Sequence, residues 1–193
     1  MRVLVIFGPP AVGKMSVGRE ACARTSFRLF HNHHIIEPLI EVFGYGTRAF
    51  RVLEPEFRRR VFEEAAADQL DLCFTFVWRL DSASDRAYLE RLLEPYADAA
   101  LCFVELAADL DTRLRRNQTD ERLAHKPSKR DLAWSDGNVR DAERHLLNTV
   151  VGERCDAHQL LDRGRYLRID NANLSVAQTA DLIEHWLAEG EGG

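Results

Sequence analysis

The chain contains no apolar run approaching the ~18 residues that a membrane-spanning helix needs, which excludes an integral helical membrane protein. Its first residues lack the succession of basic, apolar and small residues of a secretory leader, so the cytoplasm is the expected compartment. Cysteine is scarce. Cys22, Cys73, Cys102 and Cys155 lie far apart, without the paired spacing of a zinc site, and read as reduced thiols. There is no internal repeat and no low-complexity linker; only residues 190–193 read as a disordered glycine-rich tail. What is present, 193 residues of which 46% are hydrophobic and 30% charged, suits a soluble globular domain with a proper core.

One short segment carries most of the chemical information. An apolar run, Val3-Leu4-Val5-Ile6-Phe7, reads as a buried strand and is followed at once by Gly8-Pro9-Pro10-Ala11-Val12-Gly13-Lys14. G-x-x-x-x-G-K is the phosphate-binding P-loop (Walker A) pattern. Glycines let the backbone wrap an anion with its N–H groups, the next helix adds its positive N-terminal end, and the lysine reaches the β- and γ-phosphates. The Ser or Thr that normally follows, and holds Mg²⁺, is absent. Met15 stands there and Ser16 comes next, which makes Ser16 the candidate metal ligand, directly or through water.

The net charge of −5 is unevenly spread. Residues 113–130 hold seven cations and two anions, a local +5 that leaves −10 for the rest. Such a stretch calls for an anionic partner or is a solvated helix surface.

Periodicity gives alternating elements. Strands are expected at Arg2–Phe7, Phe27–Phe30, Leu72–Trp78, Ala100–Leu106 and Tyr166–Ile169. Helical patterns cover Lys14–Arg24, Ile35–Val42, Ala49–Gln69, Ser84–Tyr96, Asp109–Asn117, Asp136–Gly152 and Ser175–Glu189, with a break expected at Pro38 and a start or kink at Pro55. Asn173 or Ser175 caps the last helix. Short apolar strands between helices imply an α/β fold, a parallel sheet with helices on both faces, whose ligands bind beyond the carboxyl ends of the strands. The segments to read for function are therefore those that follow each strand.

After the second strand comes His31-Asn32-His33-His34-Ile35-Ile36-Glu37, and further on Gly46-Thr47-Arg48-Ala49-Phe50-Arg51-Val52-Leu53-Glu54. With the P-loop, these stretches resemble the shikimate kinases, within the wider group of P-loop small-molecule and nucleoside monophosphate kinases. That family has D-[ST]-D-x-x-I-E at the first position and G-E-x-x-F-R-x-x-E at the second. Asn32, Ile36 and Glu37 match the first pattern; Gly46, Phe50, Arg51 and Glu54 match the second. The chloramphenicol phosphotransferases and other antibiotic-modifying kinases are similar in scaffold. Both aspartates are replaced, by His31 and His33, and the family's Gly-Gly after the third strand is Phe76-Val77-Trp78-Arg79. Shikimate kinase activity itself is therefore not expected.

The resemblance implies a three-layer fold with a five-stranded parallel sheet ordered 2-3-1-4-5, a single kinase-like domain over residues 1–189, an acceptor-binding subregion at 31–69 and a basic lid at 117–135. It implies an ATP- or other NTP-dependent phosphotransferase using Mg²⁺ and a small-molecule acceptor: a metabolite, nucleoside or antibiotic. Gly8 to Ser16, Lys14 above all, would hold the triphosphate. Arg116 and Arg122 would bind its phosphates, with Lys126, Lys129 and Arg130 nearby, and Asn171 and Asn173 would lie by the base. Arg51 would meet an acceptor carboxylate, with His31, Asn32, His33, Glu37, Trp78 and Lys126 as further acceptor contacts. Imidazole can accept a hydroxyl proton, so His31 or His33 can stand in for the missing aspartate. Hydrogen bonding to the acceptor and helix capping by Asn32 are the other readings of this turn; a metal site from His31, His33 and His34 is disfavoured because neighbouring side chains diverge. Trp78 and Trp134 are stacking or packing residues. A nucleotide-binding regulatory protein or slow NTPase, and a nucleic-acid end kinase, are the alternative functions; neither nucleic acid nor a membrane is the expected partner.

Overall fold

The computed structural model describes residues 1–119 and 132–190. Five strands form one parallel sheet: β1 (Arg2–Phe7), β2 (Arg28–His31), β3 (Leu72–Phe76), β4 (Ala100–Ala107) and β5 (Arg165–Asp170), in the order β2-β3-β1-β4-β5. The helices are α1 (Lys14–Ala23), α2 (His33–Phe43), α3 (Arg48–Ala67), α4 (Ala83–Leu93), α5 (Leu110–Asn117), α6 (Leu132–Asp141), α7 (His158–Leu161) and α8 (Val176–Glu189). Sheet order and fold class are as the resemblance implied.

The period-2 geometry of a strand builds two cores from one central run. Val3, Val5 and Phe7 of β1 point to one face, where they meet Phe62 of α3, Leu89 of α4 and Leu160 of α7. Leu4 and Ile6 point to the other, where Val17 and Ala21 of α1 and Ile183 and Leu187 of α8 cover them. Because both faces are buried, β1, β3 and β4 read as continuous apolar runs, as parallel strands do. Glu105 of β4 is the exception: it is fully buried. Its Oε1 accepts from Asn148 Nδ2 (2.9 Å), Thr149 N (2.9 Å) and Arg168 Nε (3.1 Å), and its Oε2 from the Tyr166 hydroxyl (2.5 Å).

Several boundaries depart from the sequence reading for local reasons. β3 ends at Phe76, so Trp78 lies beyond it. α2 runs through the exposed Pro38 because Ile35 and Leu39 pack on the core, and α3 runs through Pro55, its start capped by Thr47, whose hydroxyl accepts from Phe50 N. The helix expected over 136–152 ends at Asp141, with a 3-10 turn to Arg144. The chain beyond is drawn onto the sheet by the Glu105 bonds to Asn148 and Thr149. The short α7 was not foreseen. Ser175, not Asn173, caps α8, in a capping box with Gln178. No helix among the described residues is long and apolar enough to cross a membrane.

Candidate active site

The P-loop joins β1 to α1 at the carboxyl edge of the sheet. Two glycines make its path possible. Gly8 has φ +138° and lies so close to β4 that a Cβ there would sit 2.3 Å from the Leu106 carbonyl oxygen; Gly13, at φ +108°, precedes the first turn of α1. A loop that receives an anion must turn its carbonyls away from it, and here they are tied off by side chains. Lys14 Nζ donates to the carbonyls of Gly8 (2.8 Å) and Pro9 (2.7 Å). The Val12 carbonyl accepts from Asn171 Nδ2 (2.9 Å) and from Arg116 Nη1 (3.1 Å).

Arg116 is thus a clasp. From α5 its Nη1 also donates to Asn171 Oδ1 (3.2 Å), and its Nη2 to the Asn171 (2.7 Å) and Ala172 (3.3 Å) carbonyls at the exit of β5. Asn171 is 2% exposed. Together the two residues lock the P-loop to the end of β5.

A cleft of about 1060 Å³ opens over this loop. Its floor is the P-loop and the first turn of α1, including Met15 and Ser16; one end reaches Leu174 and Val176 after β5, and the other the His31-Asn32-His33 turn after β2. The cleft therefore spans both regions that the sequence set apart as donor and acceptor sides.

The histidine turn is shaped by packing and one ion pair. His31, at the end of β2, is 5% exposed, and its ring lies against that of His34 with centroids 3.6 Å apart and planes tilted by 30°. Partial desolvation and the Arg19 charge hold His34 below the usual histidine range, so it is neutral at pH 7. His33 and Glu37 face each other across one turn of α2, with Nδ1 2.7 Å from Oε1. An ionised carboxylate only accepts, so toward an ionised Glu37 the imidazole presents Nδ1 as a donor. Asn32 occupies the cap position of α2 without capping it; its side chain lines the cleft. The capping reading of Asn32 is therefore wrong.

Other expectations are corrected. Trp78 is fully buried, packed edge-on against Phe7 (5.2 Å between centroids), and is a core residue. Arg51 is exposed and donates to the Gly46 carbonyl (2.7 Å), outside the cleft lining. Glu37 is bonded to His33 but is not itself in the cleft lining, and neither is the exposed Asn173. Arg122, Lys126, Lys129 and Arg130 lie outside the described residues. The flanks of that segment are joined: Asn117, fully buried at the end of α5, donates to Ser135 Oγ (2.9 Å) and Asp136 Oδ1 (2.7 Å) of α6.

The cleft also holds residues that sequence reasoning missed: Ile36, Ile40, Tyr45, Thr75, Asn138 and His145. The i,i+4 spacing of Ile36 and Ile40 was legible as an apolar helix face; the others are brought in by tertiary packing alone. Among the described lining residues none is acidic, and the described chain has no cluster of three or more His, Cys, Asp or Glu side chains able to hold a metal. The Met15 thioether is a soft donor unsuited to Mg²⁺, whereas the Ser16 and Thr75 hydroxyls are hard oxygens. Among the described lining residues, these neutral hydroxyls suit a metal that arrives with phosphates.

No protein-family model matches the chain, and no curated protein matches it in sequence. Solved structures do match it in fold. A provisionally named kinase from Chloroflexus aurantiacus superposes with a TM-score of 0.65 at 14% identity, over 98% of this chain and 97% of that one. Shikimate kinase from Acinetobacter baumannii gives 0.58 at 16%, over 100% and 96%. The tunicamycin resistance protein of Deinococcus radiodurans gives 0.54 at 17%, over 96% and 95%. The chain thus has the fold of the P-loop kinases.

Proposed function

We propose that the protein is a phosphotransferase that moves the γ-phosphoryl group of ATP, or of another nucleoside triphosphate, to a hydroxyl of a small molecule. The observation that carries this reading is the single cleft joining a carbonyl-tied P-loop to a carboxylate-oriented histidine. The kinase fold of the neighbouring structures supports it.

Lys14 and the loop amides bind the β- and γ-phosphates, and the α1 N-terminus adds its dipole. The acceptor oxygen attacks the γ-phosphorus while the bond from that phosphorus to the bridging oxygen breaks. The hydroxyl proton passes to His33 Nε2, and the bridging oxygen leaves on ADP with the electron pair. Glu37 holds the ring and stabilises its protonated form. Mg²⁺ neutralises phosphate oxygens in such transfers, and Ser16 and Thr75 are the side chains that would meet it.

A screen of candidate alcohols for acceptor-dependent ADP release tests the reading. Lys14→Ala should abolish nucleotide binding and any such release. If the variant turns over like the parent, or no acceptor raises release above the hydrolysis background, the transferase reading falls. A slow NTPase is the second reading, favoured by Met15 at the usual metal-binding hydroxyl.

A further inference from the structure

His145 is a titratable side chain of the cleft that belongs neither to its P-loop floor nor to its histidine turn. Its place is fixed from both sides. Before it, Val139 of α6 packs on Ala11 of the P-loop in a small buried cluster with Leu114. The His145 N–H then closes the 3-10 turn on the Ala142 carbonyl (3.1 Å). After it, the chain is strapped along the strand ends. The Leu146 carbonyl accepts from Leu80 N (2.7 Å), beyond β3. Asn148 Nδ2 donates to the Leu106 carbonyl (3.0 Å) and to Glu105 Oε1 (2.9 Å), both of β4. The Thr149 hydroxyl meets that of Tyr166, on β5, at 3.0 Å.

The stretch from Val139 to Leu146 therefore runs from the P-loop to the chain that leaves β3. In the sheet, β3 lies between β1, which ends in the P-loop, and β2, which ends in the histidine turn. His145 is on that stretch, exposed and in the cleft lining. A γ-phosphoryl group held by the P-loop and attacked from the histidine turn crosses the same interval. Its equatorial oxygens carry the charge of the transition state, and donors already in place stabilise that charge most. Arg116 commits both terminal nitrogens to Val12, Asn171 and Ala172, and Arg113 is 2% exposed and bonded to Glu143, so neither is turned to that group. An imidazole keeps at least one N–H donor whether neutral or protonated.

We propose that His145 is a catalytic residue, whose ring donates a hydrogen bond to an equatorial oxygen of the γ-phosphoryl group as that group passes from the nucleotide to the attacking oxygen. The ring keeps its proton. The bond that forms joins the attacking oxygen to phosphorus, and the bond that breaks joins phosphorus to the bridging oxygen. The electron pair leaves on the nucleoside diphosphate, and the proton of the attacking hydroxyl goes to His33. The inference rests on the reading that the γ-phosphoryl group leaves the nucleotide in this cleft, whether for an alcohol or for water.

The test uses the full chain and needs no acceptor. Two probes are titrated with Mg²⁺: a non-hydrolysable ATP analogue, which mimics the start of the transfer, and ADP with aluminium fluoride, whose fluoroaluminate group mimics the phosphoryl group in transit. His145→Ala and His145→Phe should weaken the ADP–aluminium fluoride complex about tenfold or more and change analogue affinity less than about threefold. His145→Gln, which keeps an N–H donor, should lie closer to the parent than His145→Phe. Melting curves of each variant separate loss of the contact from loss of the fold. Four results overturn the inference: the parent binds ADP no more tightly with aluminium fluoride than without it, the alanine and phenylalanine variants bind the fluoride complex like the parent, they weaken both probes equally, or the glutamine variant is no better than the phenylalanine one. Acceptor-dependent ADP release that is unchanged in His145→Ala leaves the transferase reading standing and ends this inference. Selective loss of the fluoride complex in a chain that no alcohol turns over leaves His145 in its role and makes the site that of an NTPase.

Discussion

Asn171→Ala is the most informative change to the donor site, because Asn171 makes no contact that a bound phosphate would require of it. Its role is to hold the loop's shape. All peptide bonds in the described chain are trans, so the Val12 carbonyl and the Gly13 N–H point in opposite directions. Anchoring that carbonyl on Asn171 and Arg116 turns the Gly13 N–H away from both, as anion binding demands. Truncation removes a neutral bond to Val12 and a charge-assisted one from Arg116, worth about 1 and about 1.5–3 kcal/mol respectively. Val12 keeps Arg116 Nη1, and Arg116 keeps the Asn171 and Ala172 carbonyls, so the net loss lies near the low end, about 2 kcal/mol. Urea unfolding should show that loss. Titration with a fluorescent ATP analogue should show about tenfold weaker binding, since roughly 1.4 kcal/mol of loop ordering moves to the binding step. Asn171→Asp separates bracing from electrostatics. It strengthens the attraction for Arg116 but sets an oxygen against the Val12 carbonyl, so nucleotide binding should weaken at least as much. Parent-like affinity in both variants would refute the bracing argument.

The remaining expectations concern the acceptor turn and the fold. His33→Gln should lower acceptor-dependent turnover by about 10²–10³-fold while nucleotide affinity stays within a factor of two or three, and Glu37→Gln should cost less and displace the acid limb of the turnover–pH profile; equal effects on binding and turnover would remove His33 as the proton acceptor. Glu105→Leu should cost about 3–5 kcal/mol in urea unfolding because it strands buried donors, whereas Glu105→Gln, which keeps an acceptor for Asn148, Thr149 and Arg168, should cost about 1–2 kcal/mol; similar losses would mean the charge matters more than the bonds. Burial pushes the Asp71 carboxyl up, but bonds from Arg2 and Ser26 outweigh it and hold it below its ordinary value. Its stabilisation is therefore complete above the ordinary carboxylate pKa and lost as pH falls through the lower folded value. Asp71→Asn should flatten the acid limb of the urea midpoint between pH 5 and pH 2 on the scale of carboxylate titration; an unchanged limb would assign acid sensitivity elsewhere.

The sheet and the P-loop were legible because their signals are local. Val3 to Phe7 is an apolar run that both faces bury, and Gly8 and Gly13 stand where the backbone needs positive φ. The order of the strands came with the resemblance, and the superpositions agree with it. Contacts between distant segments were not legible. Nothing near Trp78 says that its ring enters the core against Phe7, and nothing near Tyr45 says that its ring meets that of Trp134, far along the chain. Arg116 was read as a phosphate ligand through the resemblance; the protein groups it bonds, at Val12, Asn171 and Ala172, come from two other strand exits. Glu105 was an acid in an apolar strand, a signal present in the sequence and passed over.

The departures from the kinase pattern lie on the floor of the cleft, at Met15, and at its His31-Asn32-His33 end, and they share one consequence. Met15 removes the usual hydroxyl next to Lys14, and His31 and His33 replace the family's two carboxylates. Each change takes away a hard oxygen or a negative charge, and the described lining supplies no acid in return. Among the described residues, then, the lining sets no negative charge beside a bound triphosphate. Affinity for nucleotide should then depend less on the metal than in a site with carboxylate ligands, since Mg²⁺ there must offset protein and phosphate charge together. In the proposed transfer, the charge that a bound Mg²⁺ would draw from the phosphates contributes to turnover. On the proposed reading, nucleotide binding and metal-dependent transfer are separable, and Met15→Ser, which returns a single hydroxyl beside Lys14, should change the Mg²⁺ dependence of turnover more than it changes nucleotide affinity; equal effects on both would refute the separation.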